Sequence, residues 1–220
     1  MANYIIDPAV LEDLIPRGTG LDLFEGKCFV SLVAFVFRDT RVLGVPVPFH
    51  VNFEEVNLRF YVRREAGGEV RRGVVFIKEI VPRFAIAFVA RTMYGEPYES
   101  WRMTHEKNDS KIGYAWSKTG IEDGVSVTVG ESLGVPGEDS EGSFIIEHYW
   151  GYTKRGGRTD EYRVEHPKWE LFSVDSCEVT VDFGATYGEK FLFLNEQQPD
   201  SVLLAKGSEV AVYKGAALTD

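Results

Sequence analysis

FEEVNLRFYVRR, residues 53–64, decides the fold because its apolar and polar side chains alternate strictly. The apolar parity holds Val56, Leu58, Phe60 and Val62, and the polar parity holds Asn57, Arg59, Tyr61 and Arg63. Successive side chains of an extended strand point to opposite faces of its sheet. The segment therefore predicts a strand with one buried apolar face. It leaves open whether the polar face meets bulk water or an enclosed cavity.

The composition is that of a globular protein whose surface repels polyanions. The 220 residues suffice to bury a substantial core. Acidic residues outnumber basic ones by 34 to 24, which gives a net charge of −10. Such a charge opposes binding to nucleic acid or to an anionic membrane surface. No window approaches the roughly 20 apolar residues of a membrane span. We therefore expect neither a nucleic acid nor a membrane as partner.

Cysteine usage and the start of the sequence both indicate the cytoplasm. Cys28 and Cys177 are the two cysteines, and each lies in a strand-like apolar run. Two such residues do not form a disulfide framework, which fits a reducing compartment. The first ten residues, MANYIIDPAV, lack the basic and apolar regions of a secretory signal.

Strand patterns dominate the rest of the chain. Residues 27–37 are apolar on both parities, which is typical of a strand buried on both faces. A hairpin loop is predicted at 65–69, with the return strand at 73–81. Helices are predicted at 7–14 and at 82–95, the latter beginning at a proline and ending at a glycine. Further strands are predicted at 98–106, 111–117, 124–131, 143–153, 159–166, 171–184 and 208–215.

This pattern predicts one domain, residues 1–220, that is mainly antiparallel β (α+β) and forms a barrel or a sandwich. Closing a sheet into a barrel removes its edge strands, and a large barrel encloses a cavity. A cavity is the usual setting for a small-molecule site.

Five segments in the same order resemble the YqjF-like proteins, a bacterial domain-of-unknown-function family of the acetoacetate-decarboxylase-like superfamily. They are residues 8–64, 73–98 (GVVFIKEIVPRFAIAFVARTMYGEPY), 145–158 (IIEHYWGYTKRGGR), 162–171 (YRVEHPKWEL) and 208–214 (SEVAVYK). The resemblance covers nearly the whole chain. It implies a cone-shaped antiparallel β-barrel with a few peripheral helices and a central cavity.

The superfamily's namesake decarboxylates a β-keto acid through a lysine Schiff base, and that lysine must be unprotonated to attack the carbonyl. In the decarboxylases the lysine pair follows the internal helix. The corresponding stretch, ARTMYGEPYESW at 90–101, contains no lysine. No catalytic residue and no cofactor is therefore carried over. Lys78 is the nearest candidate replacement, but it has the opposite parity from Glu79.

Arg59 and Glu79 are the leading candidates for a ligand site. If the polar parity faces a cavity, Arg59 would hold a carboxylate in a bidentate manner. Glu79 shares its parity with Val75, Ile77 and Val81, and a carboxylate on an apolar face is enriched at functional sites. The alternatives are a solvated outer face for Arg59 and a structural ion pair for Glu79, with Arg59 or Arg91.

The remaining ligand-binding candidates are aromatic or lie near the end of the predicted internal helix. They are Arg91, Tyr94, Trp150 and His166. The alternative for each is a structural role in the core, and the same holds for His148. No HxH, HExxH or CxxC spacing occurs, so no metal site is expected.

Two functions remain open. The first is a protein that binds a small apolar carboxylate or carbonyl compound inside the barrel, with or without turnover. The second is a non-catalytic structural, oligomerising or partner-binding module without a small-molecule ligand. A homo-oligomer is compatible with either.

Overall fold

The strand predicted at 53–64 is present and extends from Phe53 to Ala66 in the computed structural model of the protein. The structure describes residues 1–42, 45–46, 51–82 and 97–218. In chain order the strands are β1 (Ala2–Ile6), β2 (Gly20–Leu21), β3 (Cys28–Phe37), β4 (Arg41–Val42), β5 (Val45–Pro46), β6 (Phe53–Ala66), β7 (Glu69–Val81), β8 (Tyr98–Ser100), β9 (Arg102–Lys107), β10 (Lys111–Lys118), β11 (Ile121–Gly134), β12 (Trp150–Arg155), β13 (Arg158–Glu165), β14 (Leu171–Thr180), β15 (Ser201–Val202), β16 (Leu204–Ala205), β17 (Ala211–Val212) and β18 (Ala216–Ala217). The helices are the 3-10 helix Pro8–Leu14, α1 (Glu141–Ile146), α2 (Phe183–Tyr187) and the 3-10 helix Glu189–Glu196.

Strand β6 lies in the middle of an 11-stranded sheet. The order along this sheet is β15-β1-β3-β6-β7-β12-β13-β17, with β2, β8 and β18 attached beside it. The pairs of β6 with β3 and β7 are antiparallel, whereas β7 pairs in parallel with β8 and β12. A second sheet has the order β16-β14-β11-β10-β9, and β4 and β5 form a small ribbon.

The described strands confirm a mainly β protein with few helices. They form separate sheets that do not close on one another, so the predicted cone-shaped barrel is not confirmed by the part of the chain described.

The apolar face of β6 packs into the core between the two large sheets, as the alternation predicted. Val56, Leu58, Phe60 and Val62 are all fully buried. They belong to one apolar cluster with Met103 and Trp116 of the second sheet. Burying such side chains contributes about 1.5–3 kcal/mol each. This cluster fixes the orientation of β6, and with it the direction of the polar set.

The polar face of β6 is also covered over much of its length. Asn57 and Tyr61 are each 1% exposed, whereas Arg63 near the hairpin end is exposed. Phe144 of α1 packs against Tyr61 with ring centroids 5.4 Å apart. The polar set therefore faces the protein interior at Asn57 and Tyr61, is half-buried at Arg59 and is exposed at Arg63.

Two strand predictions were wrong at positions where a capped helix forms. The predicted strand 143–153 begins with α1, because the Ser140 side chain accepts a hydrogen bond from Ser143 N at 3.1 Å and starts a helix. The predicted strand 171–184 ends at Thr180, since Asp182 caps α2 in the same way.

Two further predictions concern the internal helix and the last strand. The predicted helix 82–95 lies outside the described residues, apart from its first position. The predicted strand 208–215 is reduced to the short strand β17.

Within the described ranges, no helix has the length and apolar character needed to cross a membrane.

Candidate functional site

A β-bulge places Glu79 on the same face of the large sheet as Arg59. Leu58 pairs with Lys78 but Arg59 pairs with Phe76, so Ile77 is an extra residue on β7. Beyond this bulge Glu79 lies directly opposite Asn57. Directly opposed residues of antiparallel strands share a face. Glu79 therefore belongs to what we call the polar face, the face of the large sheet that carries Asn57, Arg59 and Tyr61.

The bulge corrects the sequence-based grouping of Glu79 with Val75 and Ile77. Both of those side chains pack into the core between the sheets. An extra residue in one strand shifts the alternation of everything beyond it. The strict period of two that the sequence suggested for residues 75–81 is therefore interrupted at Ile77.

Two buried carboxyl groups lie near Tyr98 on the polar face. Glu55 and Glu79 are each 2% exposed. The Tyr98 hydroxyl donates a hydrogen bond to Glu55 Oε2 at 3.1 Å. Glu79 pairs with Tyr98 across β7 and β8 and helps to raise the pKa of that tyrosine. Asn57 Nδ2 donates to Glu55 Oε1 at 2.9 Å. We call Glu55, Asn57, Glu79 and Tyr98 the carboxylate cluster.

Burial dominates the acid–base behaviour of this cluster. It raises the pKa of Glu55 to about 7, although the hydrogen bonds from Asn57 and Tyr98 and the charge of Arg59 act in the opposite direction. Burial also raises the pKa of Tyr98 well above its usual value, and the nearby Glu55 and Glu79 raise it further. Tyr98 therefore stays protonated, while Glu55 exchanges its proton near neutral pH.

Arg59 lies on the polar face beside the carboxylate cluster, and only some of its N–H donors are hydrogen-bonded. Its Nη2 donates to the carbonyl oxygen of Ile145 at 3.3 Å and lies 3.9 Å from the Met1 sulfur. Its guanidinium also lies 5.6 Å from the centre of the Tyr61 ring. Its Nε is buried and has no hydrogen-bond partner in the described ranges. Among the described residues, Arg59 thus has no carboxylate partner.

A continuous hydrogen-bond chain holds the strands beneath Arg59. The Ser31 hydroxyl lies 2.7 Å from both Asn3 Oδ1 and the Tyr61 hydroxyl. Because Asn3 Oδ1 can only accept, Ser31 donates to it and Tyr61 donates to Ser31. The Asn3 amide in turn donates to Ser201 at 3.0 Å. This network is internally satisfied, so it fixes the Tyr61 ring and does not offer a proton.

His148 forms one wall of the polar face. Its side chain is 1% exposed and packs on the rings of Tyr61 and Phe144, with centroid distances of 4.6 and 5.4 Å. Its Nε2 lies 3.6 Å from Asp22 Oδ2, which is longer than a hydrogen bond. The same Asp22 oxygen accepts a hydrogen bond from Arg72 Nε at 2.6 Å. Arg72 thus makes the close contact to Asp22.

Burial and two nearby arginines favour a neutral imidazole at His148. Burial lowers the pKa of His148 to about 4, and the positive charges of Arg72 and Arg59 act in the same direction while Asp22 opposes them. Burial alone would raise the pKa of Asp22, but the neighbouring His148 and Arg72 outweigh it and lower that pKa. His148 is therefore neutral and Asp22 is charged at neutral pH.

The structure brings together only part of the predicted site. Arg59 and Glu79 share the polar face. Trp150 pairs with Gly73, which pairs with Val62, so Trp150 lies on the opposite, apolar face. The Trp150 ring is covered there by the guanidinium of Arg71 at 4.3 Å.

Of the remaining predicted residues, His166 does not join this pair. His166 lies past the end of β13, stacked on Trp169 at 4.2 Å, and its Nδ1 is 3.0 Å from the carbonyl oxygen of Pro167. Arg91 and Tyr94 lie outside the described residues.

Glu55 was missed by sequence reasoning although a signal for it existed. It shares the parity of Asn57 and Arg59, so the same alternation places it on the polar face. Its partner Tyr98 is 43 residues away and comes from a different strand. Asp22 directly follows the short strand β2 and has no distinguishing sequence pattern, and only the tertiary structure brings it to His148.

Lysine is missing from the polar face. Every lysine of the chain belongs to the described residues, and all of them except Lys78 are exposed. Lys78 lies opposite Leu58 on the apolar face, where its Nζ contacts Glu99 Oε1 at 2.9 Å. Burial would raise the pKa of Glu99, but hydrogen bonds from Lys118, Trp101 and Lys78 lower it to about 2. Lys78 is thus held by a carboxylate and does not point toward Arg59.

Two shallow depressions on the second sheet are poor alternatives. One, of about 380 Å³, lies over small residues such as Gly113, Ala115 and Gly124. The other, of about 480 Å³, lies beside Gly120 and Asn195. Neither is near Arg59 or the carboxylate cluster.

Comparison with solved structures relates this fold to acetoacetate-decarboxylase-like proteins. The enduracididine biosynthesis enzyme MppR with HEPES buffer bound has a TM-score of 0.64 and 14% identity, covering 99% of this chain and 84% of that one. Acetoacetate decarboxylase from Legionella pneumophila has a TM-score of 0.62 and 12% identity, covering 100% and 83%. MppR complexed with pyruvate has a TM-score of 0.60 and 16% identity, covering 98% and 81%. These identities establish a shared fold.

Sequence comparison gives the family. The chain is 25% identical over 185 residues to the uncharacterized protein YqjF of Bacillus subtilis (strain 168), covering 82% of this chain and 74% of YqjF. The family model DUF2071, described as an uncharacterized conserved protein, matches residues 1–209. The resemblance to YqjF-like proteins is thereby confirmed, and the chain belongs to the DUF2071 family.

Proposed function

We propose that this protein binds a small carboxylate or carbonyl compound on the polar face, with Arg59 as the anchor for the carboxylate. In this proposal the polar face is one wall of the central cavity expected for a cone-shaped barrel. The observation that carries the proposal is that, within the described part of the chain, the buried Nε of Arg59 has no acceptor and its guanidinium contacts no carboxylate.

A buried N–H donor without an acceptor is costly to the fold. Leaving such a group unsatisfied costs about 1–3 kcal/mol, and more when the group is charged. Arginine presents its donors in a planar fork that matches a carboxylate in two parallel hydrogen bonds. A bound carboxylate would satisfy the donors of Arg59 that the Ile145 carbonyl leaves unused.

The surroundings of Arg59 set the size and character of the ligand. Glu79 is a diagonal neighbour of Arg59 across the β6–β7 pair, a relation that spans about 7–8 Å in a sheet. The Phe76 side chain lies directly opposite Arg59, and Tyr61 lies below the guanidinium. A ligand with one end on Arg59 and the other near Glu79 is therefore only a few bonds long.

Structures of the same fold guide the choice of probes. MppR has been solved complexed with pyruvate, which is a small 2-oxo acid. Oxo acids carry both groups that the polar face would recognise, a carboxylate for Arg59 and a carbonyl oxygen for the carboxylate cluster. We propose that binding here is non-covalent, because Lys78 lies on the opposite face and all other lysines are exposed.

Ligand-observed NMR tests the proposal. Pyruvate, 2-oxobutanoate, acetoacetate, acetate and acetone would each be mixed with wild type, Arg59→Gln and Arg63→Gln. Arg63 is the matched control, since it is an arginine of the same strand and parity that is exposed. We expect saturation transfer to at least one carboxylate with wild type and Arg63→Gln, and its loss with Arg59→Gln. Equal transfer with Arg59→Gln, or no transfer from wild type to any probe, would favour the structural-module alternative.

A further inference from the structure

We propose that His148 is a second contact point for the ligand of Arg59 and that its Nδ1 atom accepts a hydrogen bond from a ligand hydroxyl, so that the preferred ligands are small hydroxy acids. This inference rests on the proposed function and names the class of compound that the polar face selects. It follows from a buried imidazole of which neither nitrogen has a hydrogen-bond partner among the described residues.

The position of Asp22 determines which imidazole nitrogen carries the proton. Oδ2 of Asp22 lies 3.6 Å from His148 Nε2 and is held by Arg72 Nε at 2.6 Å. The lowered pKa of Asp22 keeps this carboxylate charged at neutral pH. A lone pair on Nε2 would be repelled by the charged carboxylate, whereas an N–H group is attracted to it. The neutral ring therefore carries its proton on Nε2, and Nδ1 is an acceptor.

No described residue donates a hydrogen bond to this acceptor. The rings of Tyr61 and Phe144 pack against His148, at 4.6 and 5.4 Å. Phe144 has no polar side-chain group, and the Tyr61 hydroxyl already donates to Ser31. The His148 side chain is 1% exposed, so bulk water does not supply the donor either. A buried acceptor without a donor is unfavourable, and a ligand that supplies the donor removes this cost.

Arg59 and His148 are neighbours on the polar face. The guanidinium lies 5.6 Å from the centre of the Tyr61 ring, and the imidazole lies 4.6 Å from it. Arg59 also donates to the carbonyl oxygen of Ile145 in helix α1, and His148 lies just after that helix. The charge of Arg59 contributes to the lowered pKa of His148, which agrees with this proximity. We therefore expect the carboxylate and the hydroxyl of the ligand to be only a few bonds apart.

An acceptor at Nδ1 distinguishes hydroxy acids from oxo acids. A hydroxyl group donates a hydrogen bond to Nδ1, whereas a carbonyl oxygen can only accept one. A carbonyl oxygen placed against the Nδ1 lone pair would leave two acceptors facing each other. The polar face should therefore prefer lactate to pyruvate, and 3-hydroxybutanoate to acetoacetate, although each pair has the same carbon skeleton.

Binding constants from ligand-observed NMR at neutral pH test the inference. Lactate, pyruvate, 3-hydroxybutanoate, acetoacetate and propanoate would be titrated with wild type, His148→Phe and His105→Phe. His105 is the matched control, because it is an exposed histidine of the second sheet. We expect wild type and His105→Phe to bind each hydroxy acid about tenfold more tightly than its oxo counterpart. His148→Phe should lose this preference and still bind propanoate through Arg59, which also shows that the variant is folded.

The outcomes separate this inference from the proposed function. If wild type binds hydroxy acids and oxo acids equally, or prefers the oxo acids, the role of His148 is contradicted while carboxylate binding at Arg59 stands. The same holds if His148→Phe retains the preference for hydroxy acids. If wild type binds none of the five compounds, both the inference and the proposed function are contradicted.

The tautomer of His148 is a second measurement, and it needs no ligand. Long-range ¹H–¹⁵N correlations of the imidazole ring, assigned by their absence in His148→Phe, distinguish a protonated nitrogen from an unprotonated one. We expect the proton on Nε2. Addition of lactate should then shift the Nδ1 resonance in a saturable manner, whereas propanoate should not. A proton found on Nδ1 in the free protein overturns the inference, whatever the ligand titrations show.

Discussion

Glu79 lies directly opposite Asn57, one step past a bulge at Ile77, and this pairing puts the Glu79 carboxyl on the same face as the guanidinium of Arg59. Without the extra residue, Glu79 would keep the parity of Val75 and point into the apolar core. The bulge therefore brings the Glu79 carboxyl and the Arg59 guanidinium to one face of the sheet. Bulges recur next to functional sites, where they redirect a side chain.

Glu55 should make stability depend on pH in an unusual direction. Its pKa is raised from 4.5 to about 7 in the folded protein, so the folded state binds this proton more tightly than the unfolded state. The resulting stabilisation is complete below pH 4.5 and is lost as pH rises through 7. Glu55→Gln does not titrate. Its stability relative to wild type should increase by about 2–3 kcal/mol between pH 5 and pH 8 in urea unfolding. A difference that is constant with pH would show that Glu55 is ionised in the fold at pH 5.

His148 should produce the opposite dependence. Its pKa falls from 6.5 to about 4 on folding, so the unfolded state binds the proton more tightly. The stabilisation is present above pH 6.5 and is lost as pH falls through 4. His148→Phe keeps a ring against Tyr61 and Phe144 but does not titrate. Relative to wild type it should gain about 2–3 kcal/mol between pH 7.5 and pH 4.5. An unchanged difference would mean that His148 is not buried as a neutral ring.

Leu58 should dominate the stability of β6. Its side chain is fully buried in the core between the sheets. Leu58→Ala leaves a cavity and should cost about 2–5 kcal/mol in chemical unfolding. Arg63→Ala, on the exposed end of the same strand, should change stability by less than about 0.5 kcal/mol. Similar losses in both variants would contradict the assignment of the two faces.

No imine should form with oxo acids. Lys78 is held by Glu99 on the apolar face, and all other lysines are exposed. An attacking lysine must be unprotonated, which requires a buried or cation-flanked site. Incubation with acetoacetate or pyruvate and borohydride, followed by intact-mass measurement, should show no adduct beyond that on unfolded protein. A stoichiometric adduct that Lys78→Arg abolishes would refute this.

The alternation of residues 53–64 was sufficient to predict strand β6 and its buried apolar face, because a period of two is a local property. It also placed Arg59, Asn57 and Tyr61 together. What it did not show is that a second layer, including Phe144, covers the opposite face. Whether the polar face meets water or the protein interior depends on helix α1, and the sequence predicted part of a strand there.

The rest of the candidate site depends on pairings that no local pattern reveals. Glu79 reaches the polar face through the bulge, and Tyr98 reaches Glu55 through the parallel pairing of β8 with β7. Trp150 was a reasonable candidate by composition, but its register against Gly73 turns it to the apolar face. Arg91 and Tyr94 lie outside the described residues and stay predictions.

The Nε–H group of Arg59 offers the most direct measurement of carboxylate binding. Its ¹H–¹⁵N resonance, assigned by its absence in Arg59→Gln, would be followed while 2-oxobutanoate or pyruvate is added. Because Nε has no acceptor among the residues that the structure describes, a bound carboxylate should shift this resonance in a saturable manner. A resonance that stays in place at saturating ligand, while others move, would show that Arg59 is not the anchor.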